Sequence, residues 1–170
     1  MTDVTPKLVR DAQTIWRAGV AAVDSAKLVA TAVKVAGRRL QLGKHEVNLD
    51  AIRRIVVIGA GKAGTGMAQG LLAALGESLC REKSMSGWIN VPDDCARDLP
   101  WIRLYPARPA GENLPTTRVL EGTQQILSLV GSCAANDLCI CLISGGGSAL
   151  LDLPIAPITL DDQIALINFL

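Results

Sequence analysis

Arg54-Ile55-Val56-Val57-Ile58-Gly59-Ala60-Gly61-Lys62-Ala63-Gly64 is the stretch that decides the fold. Ile55 to Ile58 is β-branched throughout and shows no polar alternation, which marks a strand buried on both faces of a parallel sheet. The run stops in glycines, and beyond Lys62 the residues Met67, Leu71, Ala74 and Leu75 recur at helical spacing. Strand, glycine turn and helix in succession open a βαβ unit.

The same alternation continues downstream. Ser86-Gly87-Trp88-Ile89-Asn90-Val91 reads as a second strand and Trp101-Ile102-Arg103-Leu104-Tyr105 as a third. Pro115 opens a helix carrying Val119, Thr123, Ile126 and Val130. Leu138-Cys139-Ile140-Cys141-Leu142-Ile143 is the most apolar strand and runs straight into Ser144-Gly145-Gly146-Gly147-Ser148. After a proline-bearing connection from Leu153 to Pro157, Thr159 and Asp162 are spaced as a capping box for a last helix. Alternating strands and helices predict an α/β fold with a doubly wound, mostly parallel, Rossmann-like sheet.

Upstream of the first strand the period is helical. Thr5 is placed to cap a helix with Pro6 at its first position, and Val9, Ala12, Trp16, Gly19 and Val23 share a face. A second helix is expected from Asp24 or Ser25, with Val29, Ala32, Val33, Ala36 and Leu40 recurring. The expectation is an amino-terminal helical pair over residues 1–45, packed antiparallel on an α/β domain over residues 46–170. A polar connection from Gln41 to Asn48 leads into that domain. The last helix is still running at Leu170, so the domain reads as cut short at its carboxyl end.

Composition narrows the function. An apolar share of 49% with 19% charged residues is too apolar for disorder and suits a doubly covered sheet. A net charge of +1 leaves no electrostatic footprint for nucleic acid or an anionic membrane, and 3% aromatics supply no base-stacking platform. Met1-Thr2-Asp3-Val4-Thr5-Pro6-Lys7 lacks the apolar run of a secretory signal, and Asp24, Lys27 and Lys34 interrupt the greasiest stretch. The expected protein is soluble and cytoplasmic. Cys80, Cys95, Cys133, Cys139 and Cys141 are odd in number and lack zinc-type spacing, so they are expected as reduced core thiols. Trp16, Trp88 and Trp101 are expected as core anchors, and His45 as a surface residue.

Two glycine clusters carry the candidate chemistry. Gly59-Ala60-Gly61-Lys62-Ala63-Gly64 satisfies G-x-G-x-x-G between a strand and a helix, the dinucleotide fingerprint. The acid that would hold a ribose about 20 residues on is missing: Glu77 and Glu82 precede the second strand, and Asp93 and Asp94 lie too far on. Lys62 adds a full positive charge to the amide donors of the turn, which suits a phosphoryl group or a carboxylate better than a passive dinucleotide. A Walker A loop is excluded, because Val56 stands where its first glycine belongs and Ala63 where Ser or Thr is required. A plain strand-to-helix turn with a solvated lysine is the simpler alternative.

Ser144-Gly145-Gly146-Gly147-Ser148 is the second cluster. Three successive glycines cost backbone entropy on ordering, and their amides can form an anion-binding nest flanked by two hydroxyls. A plain turn is again the alternative. Loops ending two parallel strands both lie at the carboxyl edge of the sheet, where open α/β folds bind ligands. Asp161 and Asp162 read as helix amino-terminal charges, and neither Asp152 nor Glu112 alone predicts a metal site, so metal ligands stay unassigned.

Taken together, the two loops give the sequence its resemblance to the class II glycerate kinases, the glycerate 2-kinase family whose second lobe is called the MOFRL domain. The resemblance includes Ile15-Trp16-Arg17-Ala18-Gly19-Val20-Ala21-Ala22-Val23, Val57-Ile58-Gly59-Ala60-Gly61-Lys62-Ala63, Asp137-Leu138, Leu142 through Leu151, and Ile158-Thr159-Leu160. It implies phosphoryl transfer from ATP, with Mg2+, to the 2-hydroxyl of D-glycerate or a related sugar acid. It also implies a catalytic-site role for Lys62 and a place in the phosphate-binding cleft for Ser144 to Ser148; Gly59 and Gly61 of the first turn join them as candidate phosphate-binding residues. Where the family usually has Gly-His-Pro, this chain has Ala107-Arg108-Pro109, so a fixed carboxylate or phosphate clamp replaces a proton shuttle. Two other functions fit the same residues: an NAD(P)-dependent, hydroxypyruvate reductase-like oxidoreductase, and a non-catalytic anion- or nucleotide-binding fragment.

Overall fold

The computed structural model describes residues 5–170; the readings that concern residues 1–4 and the capping side chain of Thr5 lie outside the described residues. Helix α1 (Thr5–Ala22) is followed by α2 (Ser25–Ala32), whose first turn is capped by Asp24 accepting from the Lys27 amide at 2.9 Å. Three short strands come next, β1 (Val33–Ala36), β2 (Arg39–Leu42) and β3 (His45–Asn48), paired antiparallel in sequence order. The main sheet contains β4 (Ile55–Ala60), β5 (Ser86–Pro92), β6 (Ile102–Arg108) and β7 (Leu138–Ile143), all parallel, in the order β6-β5-β4-β7. Helix α3 (Gly64–Glu82) joins β4 to β5, α4 (Thr117–Gly131) joins β6 to β7, and α5 (Leu160–Phe169) closes the described chain. The α/β fold with a parallel sheet is as the sequence predicts. No helix of the described residues is long and apolar enough to cross a membrane.

The second expected helix ends at Ala32 instead of running to Leu40, and the polar connection from Gln41 is itself β structure. Gly37 and Gly43 explain the difference. Each occupies the first place of a two-residue loop, between Ala36 and Arg39 and between Leu42 and His45, with φ +60° and +58°. Glycine there is what a type II′ hairpin turn takes. Leu40 is fully buried, a contribution of about 1.5–3 kcal/mol that ties this small sheet to the main core.

That core lies between α3 and one face of the main sheet. Ala68, Leu71, Leu75 and Leu79 of α3 meet Ile55 and Val57 of β4, Ile89 and Val91 of β5, and Ile102 and Leu104 of β6. Helix α2 packs on α3 so closely that a Cβ on Gly70 would stand 2.9 Å from the Cα of Ala26. Helix α1 does not join the expected packed pair: Leu8, Ile15, Trp16 and Val20 are all exposed. Trp16 is therefore no core anchor, and Trp88 and Trp101 are only half-buried, with Trp88 against Tyr105 at 4.9 Å.

Strand β7 forms one edge of the sheet. Leu142 is buried on the α3 side, whereas Cys139, Cys141 and Ile143 point to the other face and are exposed. The expectation of core cysteines thus holds for Cys80, which is fully buried, and fails for Cys139 and Cys141, whose face is left exposed by the described residues. All five cysteines are free. His45 lies on β3 and is exposed. The amino ends of β4 and β7 are clasped by Asp137, whose buried carboxylate accepts from Arg53 at 2.7 Å and Arg54 at 2.8 Å. The hydrogen bonds from Arg53, foremost, hold that carboxyl well below the usual range. Lys83, also buried, donates to the carbonyls of Leu49 and Ile52 at 2.7 and 3.0 Å, a structural role the sequence did not advertise.

Candidate functional site

Strands β4 and β7 are neighbours in register, Ala60 opposite Ile143, so their loops leave the sheet side by side. The chain adds β5 and β6 on one side of β4 and β7 on the other, which makes the gap between β4 and β7 the topological switch point. Both glycine loops open onto it.

The loops are fastened to each other. The Ser144 amide donates to the Ala60 carbonyl at 3.2 Å, and the Ser144 hydroxyl accepts from the Ala63 amide at 3.0 Å. Gly61 has φ +131°, a backbone state open to glycine and strained for any other residue, and a Cβ there would run into Ser144. Gly59 is just as confined, since its Cβ would press on the Leu142 backbone. Gly146 has φ +77°, and the place of its missing Cβ is 3.4 Å from Cε of Lys62. The Lys62 side chain therefore lies along the three-glycine turn. It is exposed and has no carboxylate partner among the described residues.

A concavity of about 340 Å³ adjoins this turn, lined by Ile143, Ser144, Gly147, Ser148, Leu151 and Asp152. Gly145 and Ser148 are exposed, so amides and hydroxyl are open to a ligand. Partial burial pushes the Asp152 carboxyl above its ordinary value. A larger depression of about 840 Å³ lies over the amino-terminal halves of β5 and β6, between Trp88, Trp101 and Arg103, away from both loops.

Asn90 is a site-building residue that reading the sequence missed. It is fully buried; its carbonyl accepts from the Gly61 amide at 3.1 Å, and its side-chain amide donates to the Leu150 carbonyl at 2.9 Å. One residue thus fixes the entry to the first loop and the exit from the second. The available signal was an amide inside Trp88-Ile89-Asn90-Val91, since a polar group in a buried strand needs partners.

Arg108 is not gathered with the others. It ends β6, two strands from β4, and is fully buried. Its neighbour Ala107 packs with Ala60 and Leu150, which keeps Arg108 at the same carboxyl edge of the sheet but outside the group around Lys62. Asp162 completes the capping box with Thr159 at the start of α5, as its spacing predicts.

Comparisons with known proteins bear on this arrangement. The family described as "Domain of unknown function (DUF4147)" matches residues 11–170. Human glycerate kinase is 30% identical over 174 aligned residues, covering 96% of this chain and 32% of that protein. The glycerate 2-kinase of Pyrococcus horikoshii is 29% identical, covering 84% of this chain and 30% of that protein. The chain spans about a third of the length of the curated relatives it matches. Among solved structures, the PH0495 protein of Pyrococcus horikoshii superposes with a TM-score of 0.72 at 28% identity, over 85% of this chain and 30% of that one. The glycerate kinase of Thermotoga maritima shares the fold, with a TM-score of 0.57 at 24% identity over 69% of this chain and 27% of its own.

Proposed function

We propose, from the premise that this chain belongs to the DUF4147 family, that it forms the phosphate-gripping part of a glycerate 2-kinase-like phosphotransferase. The reaction moves the terminal phosphoryl group of ATP to a hydroxyl of glycerate or a related small sugar acid. The bond to the ADP oxygen breaks, the bond to the hydroxyl oxygen forms, and the hydroxyl proton passes to solvent water. Phosphoryl transfer asks the protein mainly for positioning and for neutralisation of negative charge spread over the transferred oxygens.

The observation that carries the reading is the Lys62 side chain lying along Gly146 with no carboxylate partner among the described residues. In this reading the Lys62 ammonium meets the phosphate oxygens as a point charge, and the amides from Gly145 to Ser148 donate to them. Gly59 and Gly61 let the two loops close on one another without side chains between them. Asn90 and Ser144 hold the loops in place.

Magnesium fits the residues present in a limited way. Among the described residues no group of three His, Cys, Asp or Glu side chains forms a metal cage. Mg2+ with nucleotides needs only one or two carboxylates beside phosphate oxygens. Asp152, the acid lining the concavity, is the residue that would hold it. When bound, the ion supplies further neutralisation of phosphate charge.

The test is nucleotide binding by calorimetry together with glycerate-dependent ADP release, in the parent and in Lys62→Ala. The expected result is binding of MgATP that weakens about tenfold or more in the variant, with the unfolding midpoint unchanged because Lys62 is exposed. Equal binding by both proteins removes Lys62 from the site. A response to a nicotinamide nucleotide with none to ATP replaces the kinase reading with the oxidoreductase one.

A further inference from the structure

We propose that Arg108 is the recognition point for the carboxylate of the substrate, reached when the segment over residues 109–114 lifts away from it. The identity of the acid as a small hydroxy acid rests on the kinase reading; the carboxylate-binding role itself rests on Arg108.

The guanidinium is always charged, and burying an unpaired charge is costly. Arg38, Arg53, Arg54 and Arg118 each reach a carboxylate at 2.7 or 2.8 Å, whereas Arg10, Arg17, Arg97 and Arg103, which make no salt bridge among the described residues, are exposed to water. Arg108 is fully buried and makes no salt bridge among the described residues. Its bonds are long: Nη1 donates to the Pro109 carbonyl at 3.5 Å and Nη2 to the Asn113 side-chain oxygen at 3.3 Å. Nε has no hydrogen-bond partner among the described residues. The acid that follows its register partner Pro92 is Asp93, and Asp93 is already engaged by Arg118 at 2.8 and 3.0 Å.

Nε and Nη2 form one edge of the guanidinium, and that edge is the under-used one. Two parallel N–H donors match a planar carboxylate, whereas the amide nest and lysine suited to phosphate lie at the other loops. Two strand spacings, about 10 Å, separate β6 from β4 at the carboxyl edge on which both Arg108 and the two loops stand. An acid held at Arg108 by its carboxylate would then turn its hydroxyl toward the two loops. The cover is light: Ala110, Gly111, Glu112 and Asn113 are exposed and belong to no helix or strand.

The experiment measures D-glycerate and MgATP binding to the full chain by calorimetry, with thermal unfolding of each sample. Arg108→Met is expected to unfold at the same or a higher temperature without ligand, since an unpaired buried charge is removed. It should bind glycerate about 10- to 100-fold more weakly and MgATP within about threefold of the parent. Arg108→Lys, which keeps charge and loses the fork, should fail to restore glycerate binding. Unchanged glycerate affinity in Arg108→Met overturns the proposal, and so does Arg108-dependent binding of inorganic phosphate without any of glycerate. Should Arg108→Met fail to fold, Asn113→Ala decides. It frees Nη2 and loosens the cover, so glycerate should bind more tightly; equal or weaker binding overturns the assignment. A parent that binds glycerate through Arg108 but never binds MgATP would defeat the kinase reading and leave this one standing.

Discussion

Replacing Gly61 by alanine tests the joint between the two loops directly. At φ +131° an alanine is strained by about 1–3 kcal/mol whatever the space around it. The added methyl would also meet Ser144, whose carbonyl oxygen is 2.9 Å and amide nitrogen 3.1 Å from the Cβ position, so the second loop has to move. Overpacking of this kind adds about 1 kcal/mol or more, which brings the expected loss to about 2–4 kcal/mol. That is a large part of the 5–15 kcal/mol typical of a domain. With a urea slope of about 2 kcal/mol per molar, the midpoint should fall by about 1–2 M at constant slope. Gly145 is the control, because a Cβ there meets nothing within 4 Å and its φ is not positive. Gly145→Ala should stay within about 0.5 kcal/mol of the parent. Adding Ser144→Gly to Gly61→Ala removes the hydroxyl in the way, so the double variant should lose less than the sum of the singles. A Gly61→Ala protein as stable as the Gly145→Ala control would refute the close approach, and strict additivity would refute the contact with Ser144.

Gly70→Ala should destabilise by about 1–3 kcal/mol, because its Cβ meets the Ala26 backbone, while Gly131→Ala, with open space, should be neutral or slightly stabilising; chemical denaturation ranks the two. Glu82 is held down to about 2 from an ordinary 4.5, chiefly by hydrogen bonds from Arg38 and then Lys83. A depressed carboxyl contributes stability in full above its ordinary value and loses it as pH falls through the folded one. Arg38→Ala should therefore flatten the loss of stability between about pH 4.5 and about pH 2, as denaturant midpoints across that window would record. Maleimide should label Cys139 and Cys141 in the folded protein and leave Cys80 untouched until unfolding. Partial burial raises both exposed thiols, so labelling should quicken with pH, and protection of Cys139 and Cys141 would contradict their placement.

The parallel sheet was legible because β4 and β7 are apolar without alternation and each runs into a glycine turn. Leu138 to Ile143 was delimited correctly for that reason, and Thr159 with Asp162 marked the start of α5 through local chemistry alone. Residues 33–48 were not legible as helix or strand from spacing. Val33, Ala36 and Leu40 fit a helical period, yet the decisive signal was two glycines six positions apart, each at a hairpin turn. The exposure of Trp16 and Cys139 could not be read at all, because an apolar stripe shows that a face wants cover and not that cover is present. At the site, glycine clusters announced themselves, whereas the role of Asn90 depends on partners that only the folded chain brings near.

Ser144 ties its amide to the first loop's strand and its hydroxyl to the first loop's turn. A displacement of one loop consequently pulls on the other through these two bonds. Under the proposed function, a change at this one serine would reach both loops, which would then answer as a single jaw rather than two independent fingers.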